Sequence, residues 1–310
     1  MLKYLVIDLD YSSVSYCHYK KTSYKRQLIK FEDLKSGVLY AMKQNLYVQF
    51  VYPDYDLPDE YNKLIETIDH IKIKPSSVVD DTVNTITVIN GLDQAKRYMW
   101  IEGHTYVLRI SRTELSGLAV ILGSIKTKIK RVNIVLTDIE DLNESDLLVY
   151  KGMLETLRII TITSGTTFQT NILTDRLFLD KMNNCNAGDE VITLAPNGRF
   201  YACPGFFYDN SKEDCGNPQE GFIIKNRHLY KWENAPICKH CDAYQCKRCV
   251  WLSKKLTLEC NTPSHEQCVL SHLERNASRQ MLQSSNQRNI IDIPEIDYLD
   301  PFDDRLNWNN

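Results

Sequence analysis

The sequence predicts an α/β protein: strands and helices alternate through about the first 180 residues, and a small cysteine-rich region follows. Three observations carry this expectation. Apolar runs of strand length recur between stretches of helical period, cap and turn residues stand at the junctions, and nine of the ten cysteines fall between Cys185 and Cys268. Regular strand-helix alternation predicts parallel strands in βα units, as an open sheet or a partial barrel.

The elements follow in order. Tyr4-Leu5-Val6-Ile7 reads as the first strand, and a loop leads from it to a helix over Phe31–Asn45, where Leu34, Val38, Leu39 and Met42 keep the period. Leu46 to Tyr52 reads as the second strand, with a helix after it marked by Tyr61, Leu64, Ile65 and Ile68. Further strands are expected at Thr85–Ile89, Tyr106–Ile110 and Val132–Leu136. Ser111 with Glu114 has the spacing of a capping box for the helix after the fourth of these strands, and Asn143 with Asp146 opens the helix after the fifth.

Near Cys185 the character changes. "VITLAPNGRFYAC" reads as a hairpin turning at Pro196-Asn197-Gly198, where glycine takes positive φ without strain. Asn210–Gly221, which carries Cys215, reads as polar loop, and "CKHCDAYQCKRC" then places four cysteines in twelve positions. Thr262-Pro263 marks the start of a last helix running to about Gln283, and "IPEIDYLDPFDD" reads as an acidic strap or tail. The expected division is 1–180, 181–285 and 286–310.

The chain has 310 residues, 43% apolar and 25% charged, with a net charge of −3, which is the composition of a globular protein. No basic excess exists to neutralise a phosphate backbone, so nucleic acid is not the expected partner. The opening MLKYLVIDLDYSS is apolar for only about five residues, neither a signal peptide nor a membrane span. A cytoplasmic protein without membrane attachment is expected. In a reducing compartment clustered cysteines point to metal or iron-sulfur ligation rather than disulfides.

The knot decides between two chemistries. A structural zinc site usually separates its two ligand pairs by a dozen or more residues, and the four between Cys241 and Cys246 are short for that. Closely spaced loop thiolates joined by distant ones are a common way to hold an iron-sulfur cluster. Zinc stays open as the alternative.

The order Cys185, Gly198, Cys203, then Cys238-x2-Cys241-x4-Cys246-x2-Cys249 and a late Cys268 resembles the SPASM domain, which is attached to radical SAM enzymes that modify ribosomally made peptides. Both later gaps in the knot are one residue shorter than the usual form. The resemblance implies two auxiliary four-iron four-sulfur clusters. Carried over, Cys238, Cys241, Cys246 and Cys268 would hold one, and Cys185, Cys203 and Cys249 the other. The second set lacks a fourth protein ligand: Cys215 or Cys260 could supply it, or the iron could stay open to a substrate atom. Both also read as ordinary thiols. His265, His272, Arg275 and Arg279 share a face of the last helix with Cys268; the histidines read as a polar stripe or as neighbours of a cluster. The arginines, with Lys239, Lys247, Arg248, Lys254 and Lys255, could offset the charge of a thiolate-ligated cluster or form a solvated rim.

The first half resembles the radical SAM partial (β/α) barrel, so the whole is expected as that barrel followed by a SPASM-type iron-sulfur domain. The barrel's cluster loop, C-x3-C-x2-C after the first strand, is replaced by "DYSSVSYCHYK", which keeps only Cys17. The Gly-Gly-Glu segment that contacts SAM is replaced by Tyr52-Pro53-Asp54. Both replacements argue against SAM cleavage. Across "KYLVIDLDYSSVSYCHYK", "CDAYQCKRCVWL" and "NTPSHEQCVLSHLERNASRQ" the chain resembles the Cys-x-x-x repeat peptide maturase family.

That resemblance implies a role in maturing a peptide natural product and does not imply the chemistry; a cysteine-containing precursor peptide, partner maturation proteins and use of auxiliary clusters without SAM cleavage are the expectations joined to it. Whether the chain is a peptide-modifying enzyme, a non-catalytic peptide-binding partner or a zinc-binding interaction protein stays open, and its catalytic residues stay unassigned. Asp8 and Asp10 have the spacing of a haloacid dehalogenase nucleophile and acid, but the glycine and threonine expected after Asp10 are missing.

Overall fold

The computed structural model describes residues 1–21, 25–80, 82–164 and 168–284; the acidic tail expected over 286–310 lies outside the described residues. The first elements are β1 (Tyr4–Asp8), α1 (Phe31–Gln44), β2 (Tyr47–Val51), α2 (Asp59–Ile65), β3 (His70–Pro75), β4 (Thr85–Asn90) and α3 (Leu92–Arg97). Then come β5 (Thr105–Ile110), α4 (Leu115–Ile125), β6 (Arg131–Leu136), α5 (Glu144–Ser164) and β7 (Gln169–Thr170). The last are β8 (Val191–Leu194), β9 (Phe200–Tyr201), α6 (Pro204–Asp209), β10 (Gly216–Asn217), β11 (Gly221–Phe222), α7 (Val250–Thr257) and α8 (His265–Ser284). They fall into two units: residues 1–89 with 186–234, and residues 90–185 with the described part of 235–310.

In the first unit the strands lie in the order β4-β3-β2-β1-β8-β9. Pairings from β4 to β8 are parallel, and only β8 with β9 is antiparallel. Leu5 and Ile7 of β1 are fully buried in a core with Leu34, Val38 and Ala41 of α1, Phe50 of β2 and Leu194 of β8, as a central parallel strand requires. The α1 stripe differs from the expected one: Leu34, Gly37, Val38 and Ala41 face inward, whereas Leu39 and Met42 are each 56% exposed. Gly37 permits this packing, since a Cβ there would stand 2.3 Å from Leu194 Cδ2.

The β8–β9 hairpin turns as expected, with Gly198 at φ +76°. β3 was not legible, because "HIKIKP" puts Lys72 and Lys74 in a strand; they pair with Glu66 and Asp80 at 3.1 and 2.6 Å. The segment read as polar loop around Cys215 contains β10, which pairs with β11 in a short antiparallel ladder.

In the second unit β5, β6 and β7 are parallel neighbours. α4 buries Leu115, Leu118, Ile121, Leu122 and Ile125. Its N-terminus carries the expected capping box: Glu114 Oε2 accepts the Ser111 N–H at 2.9 Å, and Oε1 accepts the Leu92 N–H at 2.6 Å. Asn143 and Asp146 cap α5 reciprocally, at 3.0 and 3.2 Å. The last helix starts at His265, two residues past Pro263, because Ser264 Oγ accepts the Gln267 N–H at 3.3 Å. No helix among the described residues is long and apolar enough to cross a membrane.

Candidate functional site

The cysteine loop of the second unit is irregular backbone between a short 3-10 turn at Cys238–His240 and the start of α7. It winds back on itself: the Cys241 N–H reaches Cys238 O at 3.1 Å and the Cys246 N–H reaches Ala243 O at 2.9 Å. Two residues past a cysteine, the backbone twice turns an N–H onto its sulfur. Ala243 donates to Cys241 Sγ at 3.4 Å, and Arg248 donates to Cys246 Sγ at 3.3 Å.

Cys268 comes from the first turns of α8, which bring it over this loop. Cys238, Cys241, Cys246 and Cys268 therefore line one cavity, together with Arg248 and His272. These are the four residues that the resemblance grouped as one ligand set. Burial pushes the Cys238 thiol up to about 11 against the nearby Arg248 guanidinium, which pulls it down. Burial likewise pushes Cys241 up to about 12 and raises Cys246. Thiolates at such a site need a neighbouring positive charge, as a metal supplies on binding. None of the ten cysteines is in a disulfide. Among the described residues no three His, Cys, Asp or Glu side chains stand close enough to share a single metal ion.

The helix face opposite the loop divides. His272 is buried, with Nε2 at 3.3 Å from Cys241 Sγ, while His265 is exposed beside Glu266. Arg275 Nη1 donates to Asp242 Oδ1 at 2.8 Å, and Arg279 Nη2 donates to Asp242 Oδ2. Arg176 joins from a distant turn: its Nε donates to Asp242 O at 2.6 Å, its Nη2 lies 3.9 Å from Asp242 Oδ2, and its guanidinium covers the Tyr244 ring at 4.3 Å. Asp242 and Arg176 were not singled out in the sequence. Asp242 is the one acid inside the knot, but its short side chain between cysteines read as spacer, and nothing near Arg176 marked it. Gln245 completes the attachment, donating to Ser271 O at 2.7 Å and to Glu274 Oε2 at 3.3 Å.

The second expected ligand set is divided between the units. Cys203, at the start of α6, lies in the first, and Cys185 and Cys249 lie in the second. Cys185 is exposed; Cys249 is held by its N–H, which reaches Gln267 Oε1 at 3.1 Å. Cys215 is buried in the first unit beside β10, and Cys260 is buried in the second and does not line the four-cysteine cavity.

In the first unit the loop after β1 is fastened by hydrogen bonds within itself and to the end of β2 and the segment after it. Asp10 accepts the Ser12 N–H at 2.6 Å and the Tyr55 hydroxyl at 2.8 Å, and the Ser13 hydroxyl donates to Val51 O at 2.8 Å. Asp8 is fully buried. Burial pushes its carboxyl up to about 7, opposed by Lys21 and a hydrogen bond with Tyr208. A fully buried carboxyl cannot reach a phosphate, so the dehalogenase-like spacing has no accessible nucleophile here. Cys17 is half-buried on the same loop.

Comparison with family profiles and with curated protein sequences finds no match. Solved structures do match. The chain is similar to "Native anSMEcpe with bound AdoMet and Cp18Cys peptide", with TM-score 0.62 and 13% identity over 93% of this chain and 100% of that one. Streptococcus suis SuiB bound to precursor peptide SuiA aligns at TM-score 0.41 and 13% identity, over 74% of this chain and 64% of that one. The first likeness, running over nearly the whole chain, shows the fold shared with anSMEcpe, a mixed α/β body of parallel strands and helices; in this chain a cysteine-rich C-terminal region follows.

Proposed function

We propose that this chain takes part in maturing a ribosomally made, cysteine-containing peptide: it binds the precursor and carries SPASM-type four-iron four-sulfur clusters, without cleaving SAM. The observation that carries the reading is the convergence of Cys238, Cys241, Cys246 and Cys268 on one cavity. Soft thiolate donors with N–H groups aimed at two of the sulfurs suit an iron-sulfur cluster. A peptide substrate is supported by the shared fold with anSMEcpe, whose structure holds a peptide and AdoMet.

When bound, such clusters supply electron transfer and, at an open iron, ligation of a substrate thiolate. The protein's own part is to hold the thiols in place, keep water from the buried cavity and present the peptide. The absence of SAM cleavage is supported by the sequence, which has Asp10 and Val14 in two of the three cysteine positions of the barrel's cluster motif and keeps only Cys17. The same observation favours a second reading, a non-catalytic peptide-binding partner.

Anaerobic purification with iron, sulfide and zinc analysis tests the cluster. About four irons per chain support one cluster and about eight support two, while stoichiometric zinc without iron overturns the reading. Incubation with precursor peptide under reducing conditions, followed by mass spectrometry, separates the roles: a turnover-dependent mass change supports maturation and excludes the partner role.

A further inference from the structure

We propose that one face of α8 serves the four-cysteine cavity three times: Cys268 as a ligand, and His272 and Ser271 as hydrogen-bond donors to the sulfurs of Cys241 and Cys246. The two donors are positioning residues that stabilise thiolate charge on the group these thiols hold. Where that group is redox-active, they raise its reduction potential. This rests on the reading that Cys238, Cys241, Cys246 and Cys268 hold a thiolate-ligated group.

Cys268, Ser271 and His272 stand at i, i+3 and i+4 of α8, so they share one helix face. All three line the cavity. His272 is 6% exposed, and its Nε2 lies 3.3 Å from Cys241 Sγ. A coordinated thiolate only accepts, so Nε2 carries the hydrogen in the loaded site. Ser271 hydrogen-bonds Cys246 through its side chain, which pulls that thiol down against the upward push of burial.

These side-chain donors fall on the two sulfurs that also accept from the backbone, Cys241 from Ala243 at 3.4 Å and Cys246 from Arg248 at 3.3 Å. Each sulfur therefore meets a donor from its own loop and a donor from α8. That pairing requires the loop and the helix to keep a fixed register, and the residues next to both cysteines supply it. Asp242, which follows Cys241, takes Arg275 Nη1 at 2.8 Å. Gln245, which precedes Cys246, donates to Ser271 O at 2.7 Å and to Glu274 Oε2 at 3.3 Å. In a buried site the protein's own donors, rather than water, set the charge carried by the sulfurs.

A donor hydrogen aimed at a ligating sulfur favours the more negative reduced form, so losing one makes the potential more negative. In the titration dithionite gives one electron to the group; no bond forms or breaks and no proton moves.

The test uses the full chain purified anaerobically, titrated with dithionite and followed by visible absorbance and electron paramagnetic resonance. Where two clusters assemble, the transition that Cys268→Ser alters is the one read. His272→Ala and Ser271→Ala are each expected to lower the equilibrium constant for reduction about tenfold, about 59 mV more negative for one electron. His272→Gln and Ser271→Thr keep a side-chain donor and are expected to recover most of that shift. Potentials equal to the parent's in both alanine variants, with iron content retained, overturn the proposal. If His272→Ala folds but loses its iron while Ser271→Ala keeps it, His272 is itself a ligand and its role as donor is overturned. If His272→Ala does not fold, Ser271→Ala decides. If the parent holds zinc and no iron, the cluster reading fails and the donors are tested by chelator competition. About tenfold weaker zinc in the alanine variants, restored in His272→Gln and Ser271→Thr, supports them, and equal affinity overturns them. A parent that takes up neither metal overturns the reading that the four thiols hold a group, and this proposal with it.

Discussion

Arg275 Nη1 lies 2.8 Å from Asp242 Oδ1, an ion pair with both side chains under 5% exposed that joins the last helix to the turn between the two C-x2-C pairs. Removing one partner of a buried pair leaves the other charge uncompensated, which typically costs about 3–5 kcal/mol. Asp242→Ala is therefore expected to lose about that much, because three arginines share this carboxylate. Urea unfolding of the second unit's signal measures it, with Asp242→Asn losing less, since the amide oxygen still accepts a hydrogen bond.

Glu114 closes two chain ends at once. It accepts the Ser111 N–H at 2.9 Å through one oxygen and the Leu92 N–H at 2.6 Å through the other, so it caps α4 and fastens the start of α3. Glu114→Ala is expected to cost about 1–3 kcal/mol, more than an ordinary cap, because two backbone donors lose their partner. Glu114→Gln should recover part of this in the same denaturation experiment.

Gly198 holds the hairpin turn at φ +76°, and a Cβ there would stand 2.8 Å from the Asp33 carboxylate. Gly198→Ala adds conformational strain and this crowding, and about 1–2 kcal/mol of destabilisation is expected. The double variant with Asp33→Ala relieves the crowding and not the φ strain, so a partial recovery in melting temperature is the expected outcome.

Asp8 makes stability depend on pH with a defined sign. Burial raises its carboxyl from an ordinary 3.8 to about 7, so between these values the folded chain keeps a proton that the unfolded chain has released. Stability then declines as pH rises through that window and levels off above it. Asp8→Asn removes the slope: it is expected to match the parent near pH 4 and to exceed it above pH 7 by about 3–4 kcal/mol. Melting temperatures across that range check the sign, and a parent that gains stability from pH 4 to 7 through Asp8 contradicts it.

The sequence by itself determined the α/β alternation, the hairpin at Gly198 and both capping boxes, since each is written in local period or turn chemistry, while the four thiols that line the cavity were grouped by the resemblance of their order to a known domain. It did not determine β3, whose lysines break the apolar pattern yet pair across to Glu66 and Asp80, nor which side of α1 faces inward, which depends on how closely Gly37 lets Leu194 approach. Only the tertiary structure decided that Arg248 turns into the cavity and that Arg176, far along the chain, meets Arg275 and Arg279 on Asp242. The reason is physical. Periods and caps are short-range properties that the chain states locally, whereas the balance of buried charge exists only once distant residues share a low-dielectric interior.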